Sequence, residues 1–156
     1  MKPESLNEIK KELNALQADT LRDICLRLAR YKKENKEMLT YLLFEAQHES
    51  AYVSGIKGEI EEMFKTLPTG NVYYIKKSLR KIIRYAGRQV KYSRVPGTEL
   101  DVRIFLCQQI KAAGIPMQRN TVLFNLYQQQ VKKIHQVVAK LPEDLQFDYA
   151  ADLEKL

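Results

Sequence analysis

Three groups of residues in this chain have side chains and spacings that chemistry could use. Glu45 and His48 form a Glu-x-x-His pair, which on a helix sets a carboxylate and an imidazole on one face, as di-iron bundle proteins arrange theirs. Such a site needs the motif twice plus two further carboxylates. Here it occurs once, and the other histidine, His135, follows Lys-Lys-Ile with no acid at the matching spacing. Zinc and iron require three or four convergent ligands, so His48 reads as a surface or hinge residue and no metal is expected. Gly55-Ile-Lys-Gly58 has the Gly-x-x-Gly spacing by which KH domains hold an RNA backbone. That loop works against a three-stranded sheet, and no strand pattern flanks it, so a helix-packing or kink role is the better reading.

The third group is the strongest. Between Asn71 and Arg94 stand eight cations, Lys76, Lys77, Arg80, Lys81, Arg84, Arg88, Lys91 and Arg94, and no Asp or Glu. The chain carries a net charge of +7, and without these eight, 18 cations face 19 acids, a net of −1. The whole positive excess therefore belongs to one segment. Lys77, Lys81, Arg84, Arg88 and Lys91 recur at helical spacing and, with Arg80, predict a stripe opposite an apolar arc; Tyr74, Tyr85 and Tyr92 fall along one flank. Like charges at i,i+4 cost a helix a few tenths of a kcal/mol, about 0.2–0.5 per pair. A helix that accumulates them either meets an anion or is held by core packing. These nine residues, from Tyr74 to Tyr92, are the candidate anion-binding set, and the partner they suit is a nucleic acid or an acidic protein surface. The alternative lies in the chain itself. The segment from Glu143 to Leu156 holds Glu143, Asp144, Asp148, Asp152 and Glu154 against Lys155. As a short acidic tail it could cover the basic helix in cis or within a homo-oligomer, which would make the protein a structural or assembly component.

No P-loop, nucleophile elbow or dinucleotide fingerprint is present. With two histidines and two cysteines among apolar residues, catalysis has few candidates. A non-enzymatic interaction module without cofactor is expected.

The elements that must position these residues are helices. Ser5 with Glu8 has capping-box spacing, followed by Leu6, Ile9, Leu13 and Leu16 on one face. Asp19 or Thr20 offers the next cap, and Leu21, Ile24, Cys25 and Leu28 continue; the short join predicts an antiparallel helical hairpin. A third helix holds Met38 to Ala46, a fourth Tyr52 to Leu67, and a fifth Val72 to Tyr92. Pro96-Gly97 reads as a stop, with a sixth helix from Thr98 whose Phe105 and Leu106 suggest a central place. A seventh runs from near Asn120 to Leu141. The 156 residues thus predict one all-α domain, a compact bundle of about six or seven helices, with residues 143–156 as its tail.

No apolar run approaches the roughly 18 residues of a membrane span, and Met1 to Lys11 lacks the apolar core of a secretory signal. Cys25 and Cys107 are expected to be buried free thiols, which points to the cytoplasm. The stretch LRDICLRLARYKKENKEMLTYLLFEA, from Leu21 to Ala46, resembles an uncharacterised family of small helical bacterial proteins, a domain of unknown function. VYYIKKSLRKIIRYAGRQVKY and AAGIPMQRNTVLFNLYQQQVKKIHQ are similar to the same group, so the resemblance spans most of the chain. It implies a helical bacterial protein and supplies no catalytic residue.

Overall fold

The computed structural model describes residues 1–156 and contains helices and no strand. In chain order they are α1 (Leu6–Asn14), α2 (Ala18–Tyr31), α3 (Lys33–Thr40), α4 (Glu49–Lys65), α5 (Val72–Ser93), α6 (Pro96–Ala112), α7 (Thr121–Val138), α8 (Glu143–Asp148) and α9 (Ala150–Leu153). A π-helical turn, Tyr41–Glu45, follows α3, and a 3-10 turn, Met117–Arg119, precedes α7. The chain is all-α, with nine helices rather than six or seven. The two additional helices both lie in the acidic tail, too short for a 3.6-residue period to be read. Where the sequence reads as one domain, the chain clusters into two compact units, Met1–Phe44 and Glu45–Leu156.

In the first unit, Ser5 Oγ accepts from the Glu8 N–H at 3.2 Å, while the Glu8 carboxylate turns to Lys11 at 3.3 Å. The cap of α2 is Gln17, without a side-chain bond, and Asp19 instead pairs with Arg22 at 2.8 Å inside the first turn. The expected hairpin is displaced by one element. α2 packs against α3, whereas α1 barely touches α2. A single extended residue, Lys32, joins α2 to α3, and Asn35 Nδ2 donates to the Leu28 carbonyl at 2.8 Å. A short join permits a hairpin without enforcing it, and α2 packs on α3 while none of its side chains becomes buried. Tyr41 is the one buried side chain of this unit. Cys25, expected inside, is exposed for the same reason: the unit has almost no interior.

In the second unit, α6 is the central element, packed against α4, α5 and α7. Its buried residues, among them Leu100, Val102, Leu106, Cys107 and Ile110 at 0% exposure, take up about two thirds of its circumference, which leaves only a narrow open strip at Gln108 and Ala112. Cross-links fix the directions. Tyr52, early in α4, donates its hydroxyl to Gln89 Oε1, late in α5, at 2.7 Å, so these helices run antiparallel. Arg103 of α6 meets Gln130 of α7, and Lys111, later in α6, lies over the ring of Tyr127, earlier in α7, so this pair is antiparallel as well. At one end of the unit, the Glu49 carboxylate accepts from Thr98 Oγ1 at 2.5 Å and from Ser93 Oγ, which ties the start of α4 to the α5–α6 corner. That corner is tighter than Pro96-Gly97 suggests. Arg94 closes α5 in the left-handed conformation (φ 59°), and Pro96 opens α6 at its first turn, where its missing N–H costs nothing. α8 and α9 return along α6 and α7. The tail's Tyr149, Leu153 and Leu156 pack on the core, Lys111 Nζ donates to the Lys155 carbonyl at 2.6 Å, and Tyr127 Oη to that of Leu156 at 2.6 Å. No helix is long and apolar enough to cross a membrane.

Candidate anion-binding surface

α5 is one unbroken rod of 22 residues, about 33 Å long. Asn71 starts it: its side-chain oxygen accepts from the Tyr73 N–H at 2.9 Å. Ile75, Leu79, Ile82, Ala86 and Val90 are buried on one side. On the other, Lys77, Arg80, Lys81, Arg84 and Lys91 are exposed, spread over about 21 Å of axis from Lys77 to Lys91. None of these five forms an ion pair, and Arg84 Nε folds back on the Arg80 carbonyl at 3.3 Å. The tail does not neutralise them. It lies on α6 and α7, and its one ion pair is its own, Asp152 with Lys155 at 3.7 Å.

The remaining members of the set are placed differently. Arg88, at the centre of the stripe, is half-buried and engaged with other groups, and Tyr85 is half-buried. Tyr92 is buried at 8% exposure and cannot offer its ring to a base. The tyrosine flank is therefore open near the start of α5 and closed toward its end, where Tyr52 of α4 reaches Gln89 on that flank. Tyr74 remains open at 53%.

Two residues complete the surface that spacing alone did not select. Tyr73 is 66% exposed and meets Tyr74 edge-on, ring centroids 5.3 Å apart. It stands four residues before Lys77, hence on the cationic face itself; the i,i+4 relation was the available signal. Lys133 of α7 has no signal within α5. Its ammonium is held below its ordinary value, first by desolvation and then by the charges of Arg103 and Lys91, with Glu99 opposing. α7 thus adds a cation beside the far end of the stripe. Arg103, by contrast, is spent internally: 6% exposed, it donates to Glu99 Oε1 and Gln130 Oε1, each at 2.7 Å.

The other motifs do not assemble a site. His48 is exposed, its N–H donates to the Glu45 carbonyl at 2.8 Å, and no group of three His, Cys, Asp or Glu converges anywhere. Gly55 and Gly58 lie within α4 facing solvent, where an added Cβ would meet nothing within 4 Å, so they have no packing role. Burial pushes the Cys107 thiol up to about 12, against the opposing charges of Arg103 and Lys111, which keeps it protonated and inert. A cleft lined by Phe64, Leu67, Ile75 and Ile115 contains one titratable side chain, Lys65, and so no acid–base pair. Comparison with protein-family models, curated proteins and solved structures finds no match, so the surface stands on its own geometry.

Proposed function

We propose that the chain is a non-enzymatic interaction module whose α5 presents a cationic face to an anionic partner, and that single-stranded nucleic acid fits this face best. One observation carries the reading: five exposed cations lie along α5 with no carboxylate paired to them, and an exposed aromatic pair, Tyr73 and Tyr74, stands at the end where the stripe begins. Ammonium and guanidinium groups answer phosphates, and open rings stack on unpaired bases. An acidic protein surface would use the cations and leave the rings idle. The free thiols of Cys25 and Cys107 support a cytoplasmic setting.

The test is an anisotropy titration with single-stranded RNA and DNA, a duplex, and a polyglutamate peptide at several salt concentrations. Five contacted phosphates on a single strand predict a log K against log salt slope of about −3.5. Replacing Lys77, Lys81 and Arg84 by Gln should reduce that slope by about 2. Binding of the peptide alone would reassign the surface to an acidic protein; binding of none at low salt would end the reading.

A second reading, self-assembly through the tail, is favoured by α8, where Phe147 is 82% exposed among the exposed Glu143, Asp144 and Asp148. With that tail anchored on α6 and α7, the partner would be the α5 of another copy. Asp144→Lys with Asp148→Lys should then lower the mass found by light scattering; an unchanged mass counts against it.

A further inference from the structure

The cations outside α5 are not scattered evenly. From Val102 to Pro142 the chain carries six, Arg103, Lys111, Arg119, Lys132, Lys133 and Lys140, and no Asp or Glu. Widened to Met63–Pro142, the span holds fifteen cations against two acids, Glu99 and Asp101, a net of +13 where the whole chain has +7. Both acids are engaged. Glu99 holds the buried Arg103 at 2.7 Å, and Asp101 acts on Tyr149, on the side of α6 where the tail lies. α7 is thus a second helix without a carboxylate, and it packs on α5.

The polar residues of α7 are ordered. Gln129, Lys133, Gln136 and Lys140 recur at intervals of four, three and four, as the cations of α5 do, and all four are exposed. Gln130, bonded to Arg103, fixes the level of this row against α6. Lys133 stands about one turn further on, where the charge of Lys91, the last lysine of the α5 stripe, acts on it. Lys140 follows about 10 Å along the axis. Neither lysine of the row is in an ion pair. The row on α7 therefore takes up where the stripe on α5 ends. The other flank is less hospitable: α4, which meets α5 through Tyr52 and Gln89, exposes the carboxylates of Glu59 and Glu61, and these repel phosphate.

We infer, resting on the reading of α5 as a nucleic-acid surface, that a single strand laid along it does not stop at Lys91 but crosses to α7, where Lys133 and Lys140 take two further phosphates. The site is then a path over two helices, and it prefers strands longer than α5 alone can hold.

The experiment is an anisotropy titration of the full chain with thymidine oligonucleotides of about five and about ten nucleotides, within the ~4–16 of a single-strand site, over a salt series. The shorter strand is satisfied by α5 and should keep a slope of about −3.5, whereas the longer should reach about −5. Over a fourfold rise in salt, that difference is about a sevenfold greater loss of affinity. Lys133→Gln with Lys140→Gln should return the longer strand to about −3.5 and leave the shorter as it was. Both side chains are exposed and unpaired, so the variant keeps its fold, which circular dichroism checks. Lys132 stands two residues before the buried Ile134 and so on the opposite face of α7, and Lys132→Gln should change neither slope. Equal slopes for the two strands overturn the inference and leave the reading of α5 standing. A slope that rises with length but ignores Lys133 and Lys140 overturns it too, as does a loss with Lys132→Gln as large as with the pair, which would report net charge alone. Binding of neither strand at low salt removes the reading of α5 and this path together.

Discussion

Arg103 Nη1 donates to Gln130 Oε1 across 2.7 Å, and the two residues are 6% and 1% exposed, in the middle of the contact between α6 and α7. Glu99 takes the same guanidinium from the other side at 2.7 Å. A cation inside a core is tolerable when its donors are met. Gln130→Leu removes one acceptor and leaves an N–H facing hydrocarbon, so it should cost about 1–3 kcal/mol in urea unfolding. Arg103→Met combined with Gln130→Leu removes both ends and should recover most of that loss. If the double variant is no better than the single, the two groups are not coupled.

The tyrosines of α5 separate into two kinds. Tyr73→Ala with Tyr74→Ala should weaken single-stranded binding by about 1–3 kcal/mol per stacked base and leave the melting temperature nearly unchanged. Tyr92→Ala should do the reverse, costing about 3–5 kcal/mol of stability as a buried aromatic lost to a cavity. Affinity by anisotropy and stability by thermal melting together resolve the two effects.

Alkaline pH should reveal Cys107. Its ordinary value of 9.0 is raised to about 12 in the fold. Below 9 both folded and unfolded chains hold the proton, and the contribution to stability is flat. Above 9 the unfolded chain releases it while the folded chain keeps it, so stability falls by about 1.4 kcal/mol per pH unit up to about 12. Burial also raises Tyr127 and Tyr149, and this steepens the decline past their ordinary value of 10.0. Cys107→Ala should make the slope between pH 9 and 10 shallower in urea melts at fixed temperature. An unchanged slope would show that the thiol is not the titrating group.

Gly55 and Gly58 are expected to be improvable. Each sits inside α4 with space around it, so Gly→Ala should stabilise by about 0.5–1 kcal/mol per site through helix propensity alone. A loss of stability on either substitution would point to a contact that the single chain does not make.

Periodicity was enough to find α5, its Asn71 cap and its apolar arc, because one helix with a strong stripe reports itself locally. It also placed α6 centrally, since Phe105 and Leu106 widened an already apolar face. It missed what depends on neighbours. Tyr92 has the same spacing as Tyr74, yet one is covered and the other open, and only packing along α5 distinguishes them. Lys133 joins the cationic surface through a contact between α5 and α7 that no local pattern encodes. Cys25 looked interior because it keeps apolar company, but a stripe of leucines becomes core only when something covers it. In α1 and α2 the pattern was right and the inference of burial was not.

The apolar girth of α6 has a consequence for handling the molecule. A helix with so narrow an open strip gains little order before the helices packed on it, so α4, α5, α6 and α7 should consolidate together. Expression fragments that end before Thr121 would bare α6 to solvent and collect in inclusion bodies. Cuts placed ahead of Glu45 keep α4, α5 and α7 around that helix.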